Sequence, residues 1–160
     1  MRYLIKILFL TITLNYSFSA EYVSNGTATV KISKKILLPD GSYYSTLDTS
    51  GSGTNNLGLY EISNCAGHRI SKGNKLKEQN FFCNVELSNG HYYTFFMKRS
   101  ETDTDAGVGY IIIAGGSNPF EKMRNTKCNY AVSFFKDQAY VKIRCDVDEA
   151  ILKEINEKLI

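Results

Sequence analysis

KCNYAVSFFKDQAYVKIRC, residues 127–145, sets two cysteines symmetrically about the dipeptide Lys136-Asp137. Aromatic and β-branched residues alternate with polar ones on both sides, the period of a half-buried strand. With Phe135 and Gln138 flanking a two-residue hairpin loop, cross-strand partners have numbers that sum to 273, as 128 and 145 do. Pair types alternate outward from the hydrogen-bonded pair 135:138. The pair 128:145 is then non-hydrogen-bonded, with α-carbons about 4.5 Å apart, within reach of a disulfide. The same parity gathers Tyr130, Val132, Phe134, Ala139, Val141 and Ile143 on the cysteine face. Asn129, Ser133, Lys142 and Arg144 take the other face, with Ala131, Phe135 and Tyr140. One apolar and one mostly wet face is the pattern of an antiparallel sheet over a core.

Cys65 and Cys83 are arranged in a similar way about Asn74 in the turn KGNK, residues 72–75. Cys83 shares a face with Phe81, Val85 and Leu87. Cys65 shares parity with Ser63, Gly67 and Arg69, which is not an apolar face, and a bulge near Gly67 would repair it. Register favours the pairings 65–83 and 128–145, with the other pairings left open. Each such bridge closes a loop of under 20 residues, worth roughly 3 kcal/mol. The shortest cysteine spacing is 17, far from the close C-x-x-C pairs of a structural zinc site.

Outward from this hairpin the chain continues to read as strands between turn signals. Strands are expected at 27–38, 43–47, 57–71, 76–87, 91–99 and 108–114. TSGSGTNN (49–56) and the acidic stretch at 100–105 read as loops, and GGSNPFEKMRNT (115–126) as a long connection with one helical turn. The tail changes period. Asp148 is placed to cap a short amphipathic helix in which Ile151, Ile155 and Leu159 recur every four residues. Seven to nine strands in meander order, followed by one helix, predict an all-β fold. The expected form is an antiparallel up-and-down barrel of about eight strands, with a β-sandwich as the alternative.

The N-terminus carries Arg2 and Lys6, an apolar run of eight residues at 7–14 and the small-residue cluster SFSA at 17–20. That order is a secretory signal peptide, residues 1–20, with cleavage after Ser19 or Ala20. The run is too short for a membrane span, which needs about 20 residues in helix. Residues 21–160 then form one domain, expected in the periplasm or secreted, where four cysteines read as two disulfides. Removing Arg2 and Lys6 from the 19 basic residues leaves 17 against 16 acidic ones, a net charge near +1. The densest basic stretch, KISKK at 31–35, is short, so nucleic acid is not an expected partner. The sequence carries no indication of oligomeric state.

Candidate chemistry is sparse. His68 and His91 are the two histidines, no G-x-S-x-G pattern occurs, and the cysteines are committed to bridges. A catalytic triad therefore has no nucleophile in a recognisable setting. Glu101, Asp103 and Asp105 alternate like the start of a calcium loop. Ala106 and Ile112 stand where its glycine and bidentate glutamate belong, so no metal is assigned. On the strand around 91–99, alternation puts Tyr93, Phe95 and Met97 on one face with His91 and Arg99. His91, Tyr93 and Arg99 of that face, with Tyr110 of the next strand, make a candidate ligand site if the face points inward. The competing reading is simple packing of aromatics in a filled barrel.

Two further stretches, SGSGTNNLGLYEISNCAG (50–67) and DAGVGYIIIAGGSNPFEKMRNTKCNY (105–130), resemble a group of small uncharacterised secreted proteins from Gram-negative bacteria. That group carries a glycine-rich G-T-G-x-Y-x-G-M-x-G stretch before a cysteine-tyrosine strand. A similar glycine-aromatic stretch occurs in barrels of the allene oxide cyclase and dirigent kind. Gly116, Ser117, Phe120, Met123, Cys128 and Tyr130 match, while Asn118, Lys122 and Asn125 stand where glycines are usual. Asparagine is the next-best residue for a left-handed backbone. The resemblance implies a barrel of about eight strands and carries over no catalytic residue.

The function expected from these features is a non-enzymatic exported barrel that binds a small apolar or amphipathic ligand, or a partner surface, without a cofactor. An isomerase or cyclase working in the barrel cavity is the first alternative, and it requires a buried carboxylate, with Glu61 and Glu86 as candidates. A structural envelope or adhesion protein is the other.

Overall fold

The computed structural model describes residues 19–136 and 138–158. Residues 1–18 of the expected signal peptide, Asp137 of the hairpin loop and Leu159 of the expected helical stripe lie outside the described residues.

Eight antiparallel strands form one closed barrel in sequence order. They are β1 (Ser19–Leu37), β2 (Tyr43–Asn55), β3 (Tyr60–Lys72), β4 (Lys75–Leu87), β5 (Tyr92–Asp103), β6 (Ala106–Gly116), β7 (Lys127–Phe135) and β8 (Gln138–Asp148). A one-turn helix, α1 (Asn118–Glu121), interrupts the β6–β7 connection, and α2 (Glu149–Asn156) follows β8. The sandwich alternative is excluded by closure, since β1 pairs with β8 from Ser19↔Asp148 to Thr29↔Gln138. Closure satisfies both edges of the sheet, which would otherwise expose unpaired backbone.

The hairpin 127–145 has the expected register, from Asn129↔Arg144 to Phe135↔Gln138. Cys128 and Cys145 are bridged with α-carbons 4.4 Å apart, and Cys65 and Cys83 with α-carbons 4.1 Å apart. Disulfides of this kind persist in oxidising compartments. No helix among the described residues is long and apolar enough to cross a membrane.

Several expectations about the strands need correction. β1 begins at Ser19, eight residues before the expected 27, because pairing with β8 carries a stretch whose own pattern is weak. The expected loop 49–56 is strand through Asn55. Its glycines allow close backbone approach: a Cβ on Gly51 would stand 2.6 Å from the Thr27 carbonyl oxygen, and one on Gly53 2.5 Å from that of Asn25. The expected loop 100–105 is also mostly strand, with β5 extending to Asp103 opposite Lys75.

The face shared by Cys65, Gly67 and Arg69 does point inward, and the β3–β4 register runs unbroken through Gly67. Gly67 is needed because the Phe81 ring lies across it, 2.7 Å from where a Cβ would be. The irregularity falls instead at Ile70/Ser71, opposite Leu76 and Glu78. There the inward parity of β4 changes from Leu76 to Gln79, as a bulge produces.

The two ends of the barrel differ. One end is covered by α1 and α2. Phe120 of α1 is fully buried and stacks on Tyr93 at 4.5 Å, with Tyr22 meeting both rings edge-on. The Asp148 carboxylate accepts from the Ala150 N–H at 2.8 Å and starts α2, whose buried residues are Leu152 and Ile155. The expected stripe is thus centred one position off, with Ile151 only partly buried. Asn125 adopts φ +68° before β7, the left-handed conformation that suits asparagine or glycine, whereas Asn118 is helical. The other end is formed by the hairpins β1–β2, β3–β4, β5–β6 and β7–β8, with no helix of the described residues over it.

Candidate functional site

Inward alternation from all eight strands makes the barrel interior the natural place for a site. It holds a cavity of about 100 Å³, with apolar walls that include Val30, Leu47, Phe81, Val85, Phe95 and Val132. A buried water needs about 10–15 Å³ on this measure, so the space admits on the order of ten non-hydrogen atoms. The interior is neither solid nor a wide pore.

Polar groups sit at both ends of this space. At the helix-covered end, Glu61 is 6% exposed and faces the cavity from the start of β3. Its Oε1 accepts from Tyr22 Oη at 2.5 Å and Asn55 Nδ2 at 2.9 Å, and its Oε2 accepts from Ser24 Oγ at 2.5 Å. Burial raises the Tyr22 and Tyr93 phenols well above their ordinary value, and the nearby Glu61 charge adds to it. The Tyr93 hydroxyl is buried beside this cluster, next to the Tyr22 phenol.

At the open end, Arg69, Gln79 and Arg99 form one inward row. Arg69 is opposite Gln79 in the β3–β4 ladder and Gln79 opposite Arg99 in the β4–β5 ladder. Tyr130 joins the row from β7, its ring crossing Gly109, where a Cβ would lie 2.6 Å from the ring. Arg99 is 1% exposed; its Nη2 donates to Gln79 Oε1 at 3.3 Å and the Thr104 carbonyl at 3.4 Å. Its Nε and Nη1, the Nε of Arg69 and the Tyr130 hydroxyl are buried with no hydrogen-bonding partner. Burial lowers both arginines from their ordinary value, and Arg69 lowers Arg99 further. The Tyr130 phenol is pushed up to about 12 by burial, against the pull of Arg99.

The four residues expected at a ligand site therefore separate. Tyr93 lines the cavity. Arg99 is buried beside Gln79 at the other end, outside the cavity lining. His91 is buried beneath the helix-covered end, its Nδ1 2.9 Å from Ser117 Oγ, outside the cavity lining. Tyr110 is on the outward face of β6, with the Lys127 ammonium 4.4 Å from its ring centre. The neighbouring Ile111 and Ile113 take the inward face. His68 stacks on Tyr44 at 5.4 Å, away from the lining.

Compared with known proteins, the chain matches no family model, no curated protein and no solved structure. Among the described residues no three His, Cys, Asp or Glu side chains converge to hold a metal ion. Asp103 of the acidic stretch is paired with Lys75 at 2.6 Å.

Sequence reasoning passed over Arg69, Gln79 and Tyr22. Arg69 and Gln79 looked like surface residues because glycine and a bulge disguise the inward faces of β3 and β4. Tyr22 fell in a segment without a strand signal. The single available signal was Arg69 sharing the parity of Cys65, whose disulfide had to face inward.

Proposed function

We propose that this barrel binds a small apolar or amphipathic molecule in its interior. The observation that supports the reading is the cavity itself: an apolar space of about 100 Å³ closed at one end by Tyr93 and Phe120. Polar groups fix orientation at both poles, the usual design of small-ligand pockets. The disulfides and the order of charges and apolar residues at 2–20 favour work in the periplasm or outside the cell.

The test is uptake. The oxidised protein, incubated with a hydrophobic fluorescent probe or with a mixture of C6–C12 amphiphiles, should retain bound molecules in native mass spectrometry. A substitution that fills the cavity, Val85→Phe, should abolish retention in protein that still unfolds cooperatively. No uptake by the unsubstituted protein would refute the reading.

A second reading, an isomerase or cyclase, draws support from Glu61. Of the two strand carboxylates with the right setting, Glu86 is exposed and Glu61 lines the cavity. In this reading Glu61 accepts a proton from bound substrate while Tyr22 and Ser24 hold it in place. Chemical change in a ligand recovered from the unsubstituted protein, and its absence with Glu61→Gln, would favour turnover over simple binding.

A further inference from the structure

We propose that the open end of the cavity is an anion seat for the carboxylate headgroup of an amphipathic ligand. In this arrangement Arg69, Gln79 and Tyr130 contact the headgroup and Arg99 supplies buried positive charge behind them. The proposal rests on the binding reading above and adds the class of ligand.

Three observations lead to it. The first is buried positive charge without an ion pair. Arg69 on β3 and Arg99 on β5 lie on the same inward row with Gln79 of β4 between them, close enough for Arg69 to disfavour the charge of Arg99. Neither forms an ion pair among the described residues. A buried, uncompensated guanidinium is among the least favourable groups a core can hold, and an anion beside it removes most of that cost. Arg99 in particular is placed where solvent cannot serve as its partner.

The second is the donor count. Gln79 spends its oxygen on Arg99, which leaves its amide nitrogen as a donor. The Tyr130 phenol stays protonated and has no acceptor, and neither has Arg69 Nε. The groups lining this end of the cavity thus offer donors from three strands to an acceptor-only partner. A carboxylate, with two oxygens and about four lone-pair sites, is such a partner.

The third is continuity with water on one side and oil on the other. Arg69 lines both the interior cavity and an open basin at the hairpin end. Among the described residues the basin carries Lys35 and Lys136 against the single acid Asp105, which also faces Arg69. Inward of Arg69, the wall becomes Phe81, Met97 and Val132. A headgroup held at Arg69 would point its tail into the apolar space, and the basic rim would favour the approach of anions. Room for on the order of ten non-hydrogen atoms corresponds to a headgroup with about eight carbons.

The experiment compares octanoate, octanol and octylamine, which share a tail, together with inorganic phosphate, by calorimetric titration into the oxidised full domain. Octanoate should bind at least tenfold more tightly than octanol, the range for a charge-assisted hydrogen bond to a buried group. Octylamine and phosphate should bind more weakly than either. Arg69→Gln should erase the preference for octanoate over octanol, and Tyr130→Phe should reduce it severalfold. If Arg69→Gln does not fold, Arg69→Met, which keeps an unbranched apolar stem and removes the charge, reads the same preference. Equal binding of octanoate and octanol, or a preference that survives these substitutions, overturns the anion seat and leaves the binding reading intact. Phosphate binding as tightly as octanoate overturns the amphipathic ligand class. Binding of none of these, and of no hydrophobic probe, overturns both.

Discussion

The phenol of Tyr22 on β1 donates to the carboxylate of Glu61 on β3 at 2.5 Å, reaching across β2, the strand between them. Asn55 at the end of β2 donates to the same oxygen. One carboxylate therefore ties together three successive strands at the helix-covered end. Buried donors of this kind are costly once their acceptor is removed.

Glu61→Leu leaves Tyr22, Ser24 and Asn55 without their acceptor in a closed space, and a loss of about 3 kcal/mol or more is expected. Glu61→Gln retains one oxygen and should lose roughly 1–2 kcal/mol. Glu86→Gln, on the exposed face of β4, should change stability by less than about 0.5 kcal/mol. Urea unfolding midpoints at neutral pH order the three. A Glu61→Leu protein as stable as Glu86→Gln would show that the cluster contributes nothing to the fold.

Gly67 predicts a different kind of loss. An alanine Cβ there would stand 2.1 Å from the Asn80 carbonyl oxygen and 2.7 Å from the Phe81 ring. The first of these belongs to a paired strand and cannot rotate away. Gly67→Ala should cost about 3 kcal/mol, at the upper end for overpacking. Gly73→Ala tests the alternative that backbone conformation is what matters. Gly73 has φ +55° but open space around it, so its cost should be nearer 1 kcal/mol. Thermal unfolding of the two variants separates close approach from torsional preference, and equal losses would contradict it.

How much of this was legible in the sequence follows from what each signal measures. The 127–145 hairpin could be read to the residue because alternation, loop length and cysteine spacing all specify one register. Closure by β1 could not, since the pairing of Glu21–Thr29 with β8 is a long-range contact and the local composition of that segment is unremarkable. Glycine misled in both directions. At 51 and 53 it reads as a loop signal, and at 67 as a bulge, when at each place it makes room for a neighbour. The candidate site was legible in Tyr93 and Arg99, which share the parity of a clearly apolar strand. Glu61 is one of two candidate carboxylates in the sequence, while Arg69 and Gln79 are polar residues facing inward, and a binary pattern assigns such residues to solvent.

The two bridges should act independently on stability. Cys128 and Cys145 are each about 1% exposed and staple the last hairpin before α2, while Cys65–Cys83 staples a ladder on the other side of the barrel. Replacing both cysteines of either pair with serine should lower stability by about 3 kcal/mol. Replacing all four should lose close to the sum, because sites that share no partner add. Non-reducing peptide maps of the single-pair variants should contain the remaining bridge alone. A 65–128 or 83–145 peptide in the unsubstituted protein would contradict the hairpin register.

Alkaline pH should unfold the barrel through its interior phenols. Burial holds the Tyr130 phenol up to about 12, and it raises those of Tyr22 and Tyr93 as well. The fold thus favours the protonated form of each. Their stabilising effect is complete below about pH 10, where an unfolded tyrosine titrates, and is lost as pH rises through the folded values. A rise from 10 to about 12 corresponds to roughly 2–3 kcal/mol for Tyr130 alone. Denaturant unfolding at intervals between pH 9 and 12 should therefore give a stability that falls with pH, and Tyr130→Phe should flatten part of that slope. Phenolate absorbance near 295 nm should show these tyrosines ionising together with loss of the fold. An unchanged slope in Tyr130→Phe would mean that water reaches the phenol, and with it that the open end of the cavity is wetter than its unpartnered hydroxyl implies.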